Sequence, residues 1–424
     1  MQLKRLELAQ VRVFEQAMFD FLPGMNLLVG VNGAGKSTVL DVLRILLSQT
    51  LPTFTAARIK PLTFNADDIR VERDALTTRM TFSAVAIDFD YLVHQSRYDF
   101  QVDPKGQGEV RRQTVGQPSR AKLTPASLPE NLSQENEQPL ALYFSTRRSL
   151  ASMGRPSKAS AAPGQAAAYA DALSSRELRV RELAEWWLAQ ATLAHEKGGA
   201  RFSRNLDALN ETAVRFLDDC ANLRAVAEPS PTLLIDKTDG SLDVRQLSDG
   251  ERSMIALVLD LAKRLAQANP KLDDPIRDGQ AVVLIDEIDL HLHPGWQRTV
   301  VQKLISTFPN CQFIATTHSP QIVGEVSPES IILIDHGATI RPDQSLGMDT
   351  NWILRFLMGV DERSEPTKAR LSAIEQMIED EQYDDATAQI SQLREELGEF
   401  PDLVRLQARI DMIQFLSEDE EVEA

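Results

Sequence analysis

Gly30-Val31-Asn32-Gly33-Ala34-Gly35-Lys36-Ser37-Thr38 follows an apolar run, residues 25–29, and opens an amphipathic one, residues 38–47. A glycine-rich turn between a strand and a helix lets backbone N–H groups curl around phosphate oxygens. Asn32, Gly33, Ala34, Gly35 and Thr38 form that cradle here. Lys36 brings positive charge to the outer phosphates, and Ser37 offers a hydroxyl to Mg²⁺. The bare pattern also recurs in turns that bind nothing, and the strand-loop-helix context separates the two cases. The stretch predicts an α/β fold that binds a nucleoside triphosphate.

Far downstream, residues 281–285 (Ala-Val-Val-Leu-Ile) read as a fully buried strand ending in Asp286-Glu287. A buried parallel strand needs an unbroken apolar run, and its carboxyl end is where an α/β sheet presents functional groups. Asp286 is expected to hold Mg²⁺ together with Ser37. Glu287, one residue later, points elsewhere and is expected to polarise the attacking water as general base. Between these two motifs lies Leu247-Ser248-Asp249-Gly250-Glu251, before a run of apolar residues at helical spacing. Ser248 with Glu251 three residues on is a capping box, which by itself announces only a core helix. A helix N-terminus that opens with serine and glycine is also an anion site. After Glu287 come Asp289-Leu290-His291-Leu292-His293-Pro294 and, at the end of another apolar run, Phe313-Ile314-Ala315-Thr316-Thr317-His318. His291 and His293 lack further ligand types nearby, which argues against a metal pair. In a parallel sheet His318 reaches the same rim as Asp286.

This order of motifs resembles the ABC-type ATPases of the SMC, RecF and OLD group, and the resemblance covers most of the chain. The wording LSDGERSMIALV, VVLIDEIDLHLHPGWQ and QFIATTHSPQIV is similar to bacterial virulence-associated ATP-binding proteins and to the ATPase subunits of Septu-type and retron-linked antiphage systems. The resemblance implies a P-loop NTPase of ABC-ATPase type, with a mixed sheet core, an antiparallel β subdomain, a short helical insert and a helical C-terminal appendage. ATP and Mg²⁺ are the implied cofactors. Ser248 and Gly250 become a signature that contacts the γ-phosphate held by a second subunit, Asp289 a D-loop residue, and His318 a γ-phosphate sensor. A self-associating ATPase follows, dimeric around ATP or of higher order, with a separate effector nuclease as partner in antiphage defence. A RecF-like repair ATPase and a slowly hydrolysing, nucleotide-gated scaffold are the alternatives. The expected Q-loop glutamine is not evident, and residues 140–148 occupy its place.

Composition bounds the rest. A chain of 424 residues can bury a large core. Only Cys220 and Cys311 are present and no apolar run reaches the length of a membrane span, so a reduced cytoplasmic setting without membrane contact is expected. A formal charge of −17 repels free polyanions at long range. Basic residues nonetheless cluster at Arg111, Arg112, Arg120, Lys122, Arg147, Arg148, Arg155 and Lys158. They are either a solvated loop or a nucleic-acid surface, which keeps DNA open as a partner.

The chain is expected to divide into an N-terminal ATPase lobe, residues 1–150, with a mobile polar loop at about 101–138; a helical insert, 151–230; a C-terminal ATPase lobe, 231–340; and a helical appendage, 341–424, whose acidic tail, with Glu418-Asp419-Glu420-Glu421, reads as solvated and disordered. Residues 151–165 read as flexible, residues 166–228 as helical, and residues 331–335 as the last strand. The helical end shows neither a Toprim nor an HNH pattern, so any nuclease activity must come from another chain.

Overall fold

The structure is a computed structural model that describes all residues except 58, 85–86, 103–108, 114–119, 125–137, 148–149, 152–163, 175–177, 197–198, 362 and 424. Two compact units are present, Met1–Ile353 and Leu354–Ala424. The first is built on a six-stranded sheet in the order Ala338–Ile340, Ile331–Asp335, Met25–Val29, Cys311–Thr317, Ala281–Ile285, Leu140–Phe144. All neighbours are parallel except the first pair, so the sheet is mixed. Its central strands are buried throughout and mostly apolar, as a sheet covered on both faces requires. The register sets Val29 beside Thr317 and Ile285 beside Ala315 and Phe144, which brings the carboxyl ends to one rim.

An antiparallel sheet carries Phe14–Asp20, Gln2–Val11, Ala75–Ala84, Ile87–Ser96 and Arg120–Thr124 in that order. Strict alternation along Ala75–Ala84 points one side inward. There Phe82 and Phe89 stack, and both meet Phe54 edge-on at 5.6 and 4.9 Å. Phe54 ends the helix Lys36–Phe54, so this contact ties the nucleotide-loop helix to the second sheet. That helix outruns the expected residues 38–47 because Leu51 and Phe54 extend its apolar face.

Four expectations are corrected. Part of the polar loop at about 101–138 is strand: Glu109–Gln113 pairs with Tyr98–Val102, and Arg120–Thr124 pairs with Ile87–Ser96. A polar edge strand has no continuous apolar face and so reads as loop. The helical insert reaches only Phe216, as Val180–Ala194 and Ala200–Phe216, because Cys220–Val226 pairs as a strand with Thr232–Lys237. Cys220 therefore opens a strand. Ile331–Asp335 is not the last strand, since Ala338–Ile340 hairpins back on it. The acidic residues at 418–421 continue the helix Pro401–Glu423. Most of the stretch 151–165, and Arg148, Arg155 and Lys158, lie outside the described residues.

The second unit has the helices Glu365–Glu379, Tyr383–Leu397 and Pro401–Glu423 around Ile374, Ile378, Ile390, Leu393, Leu403, Leu406 and Ile410. Among the described residues no helix is long and apolar enough to cross a membrane.

Candidate functional site

The loop after Met25–Val29 keeps its shape through three glycines. A Cβ on Gly30 would lie 2.4 Å from the Ile334 carbonyl oxygen, so the loop could not lean on the neighbouring strand. Gly33 and Gly35 have φ of 80° and 108°, and a Cβ on Gly35 would also strike the Phe14 ring at 2.6 Å. The helix then starts with no side-chain cap and no acidic residue in its first turn. Its outward N–H groups are left for an anion.

Lys36 is buried, and its Nζ donates to the carbonyls of Gly30 at 2.7 Å and Val31 at 3.0 Å. Desolvation lowers its pKa, against the opposing pull of Asp286, Glu287 and Asp289. Ser37 Oγ donates to Asp286 Oδ1 at 3.2 Å although 249 positions separate them. A hydroxyl beside a carboxylate is a pair of hard oxygen donors that suits Mg²⁺, while Lys36 and the bare helix terminus suit phosphates. The residues present fit MgATP.

One cavity is lined by Asn32, Gly33, Gly35, Lys36, Ser37, Thr38, Asp286, Glu287, Thr316 and His318, with Val13 at its edge. Ala34 is buried behind the loop. Asp289 is held one step back, where its Oδ1 accepts from Thr317 Oγ1 at 2.7 Å and from the His318 N–H at 3.3 Å. A larger cavity at the amino ends of the strands is lined by Gln2, Ser83, Gln280, Asn310 and Gln312. None of its lining side chains is charged, and the Met1 amine that also lines it is pushed down to a pKa of about 6 by burial.

Besides Ala34 and Asp289, Ser248 and Gly250 do not line the Lys36 cavity. Ser248 caps the helix Asp249–Ala268: its Oγ accepts from the Glu251 N–H at 3.3 Å, and Glu251 returns a bond to the Ser248 N–H at 2.9 Å. Gly250 is buried with its Cα face against the His291 carbonyl, where a Cβ would sit 2.4 Å from the oxygen. The Ser248 side of the helix is exposed. His293 also serves as a cap, its Nδ1 accepting from the Gly295 N–H at 3.2 Å.

Sequence reasoning missed Thr316 and Arg12. The Thr316 hydroxyl accepts from the Glu287 N–H at 2.7 Å and donates to Asp286 Oδ1 at 2.8 Å, pinning both carboxylate-bearing residues. It also anchors the turn in which Glu287 takes a φ of 50°. Its signal was a pair of threonines, Thr316 and Thr317, at the carboxyl end of a buried strand. Arg12 reaches Thr38 Oγ1 at 3.4 Å and pairs with Asp41 and Asp68. Burial disfavours its charge, yet the two carboxylates leave its pKa raised. No sequence spacing links it to the loop. At the place of the Q-loop, Phe144 ends its strand by accepting from the Asp286 N–H at 2.8 Å.

Fold and site together define a P-loop NTPase fold. The chain belongs to the family described as "AAA domain, putative AbiEii toxin, Type IV TA system", whose model matches residues 25–324. It is similar to the "Retron Ec83 probable ATPase" of Escherichia coli, 28% identical over 85% of this chain and 78% of that protein. It is also similar to the "Septu protein PtuA" of Bacillus thuringiensis, 32% identical over 36% of this chain and only 41% of that protein. Among solved structures, the SMC head domain from Thermotoga maritima matches 81% of this chain and 100% of its own at 13% identity and a TM-score of 0.42.

Proposed function

We propose that the chain hydrolyses ATP in sites shared between two copies, each site joining the Lys36 cavity of one subunit to the Ser248 face of the other. The observation that carries this reading is the separation within one chain: the Lys36 cavity holds Ser37, Asp286, Glu287 and His318, while Ser248 and Gly250 stand outside it. Lys36 transfers its donors from the carbonyls of Gly30 and Val31 to the β and γ phosphates. Ser37 and Asp286 hold Mg²⁺, which when bound neutralises charge on the phosphate oxygens. Glu287, oriented through Thr316, takes a proton from the attacking water as general base. His318 stands at the same rim to read the γ-phosphate, with Asp289 tied to its backbone. Closure on ATP and reopening after hydrolysis are the mechanical output.

The similarity to a retron ATPase and to a Septu protein supports a role in antiphage defence, as sensor or regulator of a partner nuclease. The working setting is the cytoplasm, and DNA is a candidate trigger.

Glu287→Gln tests the core of the reading. The variant should bind ATP, accumulate as ATP-dependent dimers on sizing, and release phosphate roughly a hundredfold or more slowly. Wild-type turnover in the variant would remove Glu287 from this role. A wild type that forms dimers on ATP but barely hydrolyses it would favour the nucleotide-gated scaffold.

A further inference from the structure

The terminus of the helix Asp249–Ala268 carries more negative charge than a phosphate-receiving end should tolerate. Asp249 and Glu251 both lie in its first turn, where they oppose the pull of the helix dipole on an incoming anion. Each has a cation, and the two pairs are not equivalent. Asp249 pairs with Arg252 one turn on, with its own side chain 66% exposed, so water already screens it. Glu251 pairs at 2.8 Å with Lys237, which comes from the end of the strand Thr232–Lys237, and the two side chains are only 18% and 21% exposed.

Glu251 is also the group that takes the single proton of the Ser248 hydroxyl, accepting from Ser248 Oγ at 2.8 Å. That proton is the one a signature serine would give to a phosphate oxygen. If Ser248 turns away, Glu251 still holds two donors, the Ser248 N–H on Oε2 and the Lys237 ammonium on Oε1. Without Lys237 the carboxylate would be left with the Ser248 N–H alone once the hydroxyl turned away, and would present an uncompensated charge to the phosphate. The hairpin turn between Lys237 and Gly240, with Gly240 at φ 128°, aims the ammonium at this spot.

We infer that Lys237 is a positioning residue of the signature: it satisfies Glu251, so that the Ser248 hydroxyl can be handed to the γ-phosphate held by a second copy of this chain. The inference rests on the two-subunit reading above. Lys237 acts through Glu251 and touches no nucleotide.

The test uses Lys237→Met, which keeps the apolar stem and removes the charge. Binding of a fluorescent ATP analogue to dilute monomer should stay at the wild-type level. ATP-dependent dimerisation and phosphate release should fall roughly tenfold or more, the scale of a hydrogen bond to a charged group. Adding Glu251→Gln to Lys237→Met should restore turnover to that of Glu251→Gln alone, because the amide keeps the helix cap and needs no cation. Lys237→Arg should behave as wild type, and melting curves check that each variant is folded. Lys237→Met chains mixed with Lys36→Ala chains should regain activity, since the lesion lies in the half given to the partner. Wild-type dimerisation by Lys237→Met, or a loss that Glu251→Gln does not rescue, overturns the inference alone. A wild type that binds ATP and never pairs overturns the two-subunit reading itself.

Discussion

At the scale of single residues, the site depends on one hydroxyl that carries no chemistry of its own. Thr316 is 1% exposed and bridges the Glu287 N–H to Asp286. Thr316→Val preserves shape and leaves the half-buried Glu287 N–H without its partner. Stability should drop by about 1–3 kcal/mol. Turnover should drop by roughly ten- to a hundredfold, the scale for removing a group that orients a metal ligand. Thr316→Ser should recover both, and nucleotide affinity at Lys36 should change far less than turnover. Equal losses in affinity and turnover, read from titration and phosphate release, would show that Thr316 shapes the whole cavity rather than the Glu287 turn.

At the scale of elements, the helix Asp249–Ala268 and the loop after Asp286 are locked together through Gly250. On an open helix, replacing glycine by alanine stabilises by about 1 kcal/mol. At Gly250 the added Cβ would lie 2.4 Å from the His291 carbonyl oxygen, a backbone atom that cannot swing aside. His291 itself holds φ 62° in this loop, so the loop has little freedom to yield. Gly250→Ala should therefore destabilise, by about 1–3 kcal/mol as overpacking does, and denaturant midpoints measure it. A stabilised variant would mean that the contact is loose in solution. Because the same loop carries Glu287 and Asp289, this packing joins the Ser248 face to the rim of the Lys36 cavity within one chain.

At the scale of the whole molecule, the proposed sharing of sites between copies has a direct consequence in mixtures. Lys36→Ala loses the cation of the phosphate loop, and Ser248→Arg fills the exposed face with a bulky side chain. Each alone should be inactive. Mixed dimers contain one site with Lys36 and Glu287 from the Ser248→Arg chain and an unaltered Ser248 and Gly250 from the other. Partial ATPase activity should return. Background activity, with mixed dimers confirmed by size, would mean that Ser248 acts within its own chain or that both sites must fire together.

What was legible in the sequence follows from local physics. Residues 281–285 form an unbroken apolar run and residues 25–29 one interrupted only by Asn26; short runs of this kind followed by a glycine-rich turn or paired carboxylates read as buried strands, and the structure has strands at both places. The Ser248 capping box is likewise written in four consecutive residues. Periodicity encodes how deeply a segment is buried, and carries no information about which segment lies beside it. Hence the polar edge strand Arg120–Thr124 and the strand Cys220–Val226 were hidden until their neighbours were known. The meeting of Ser37 with Asp286, the Thr316 bridge, and the reach of Lys237 to Glu251 were decided by strand order and hairpin register. The sequence by itself determined the strand-loop-helix unit and the polar groups that follow its apolar runs. Only the tertiary structure decided which polar side chains hold those groups in place, because that depends on pairings across the chain that no local pattern records.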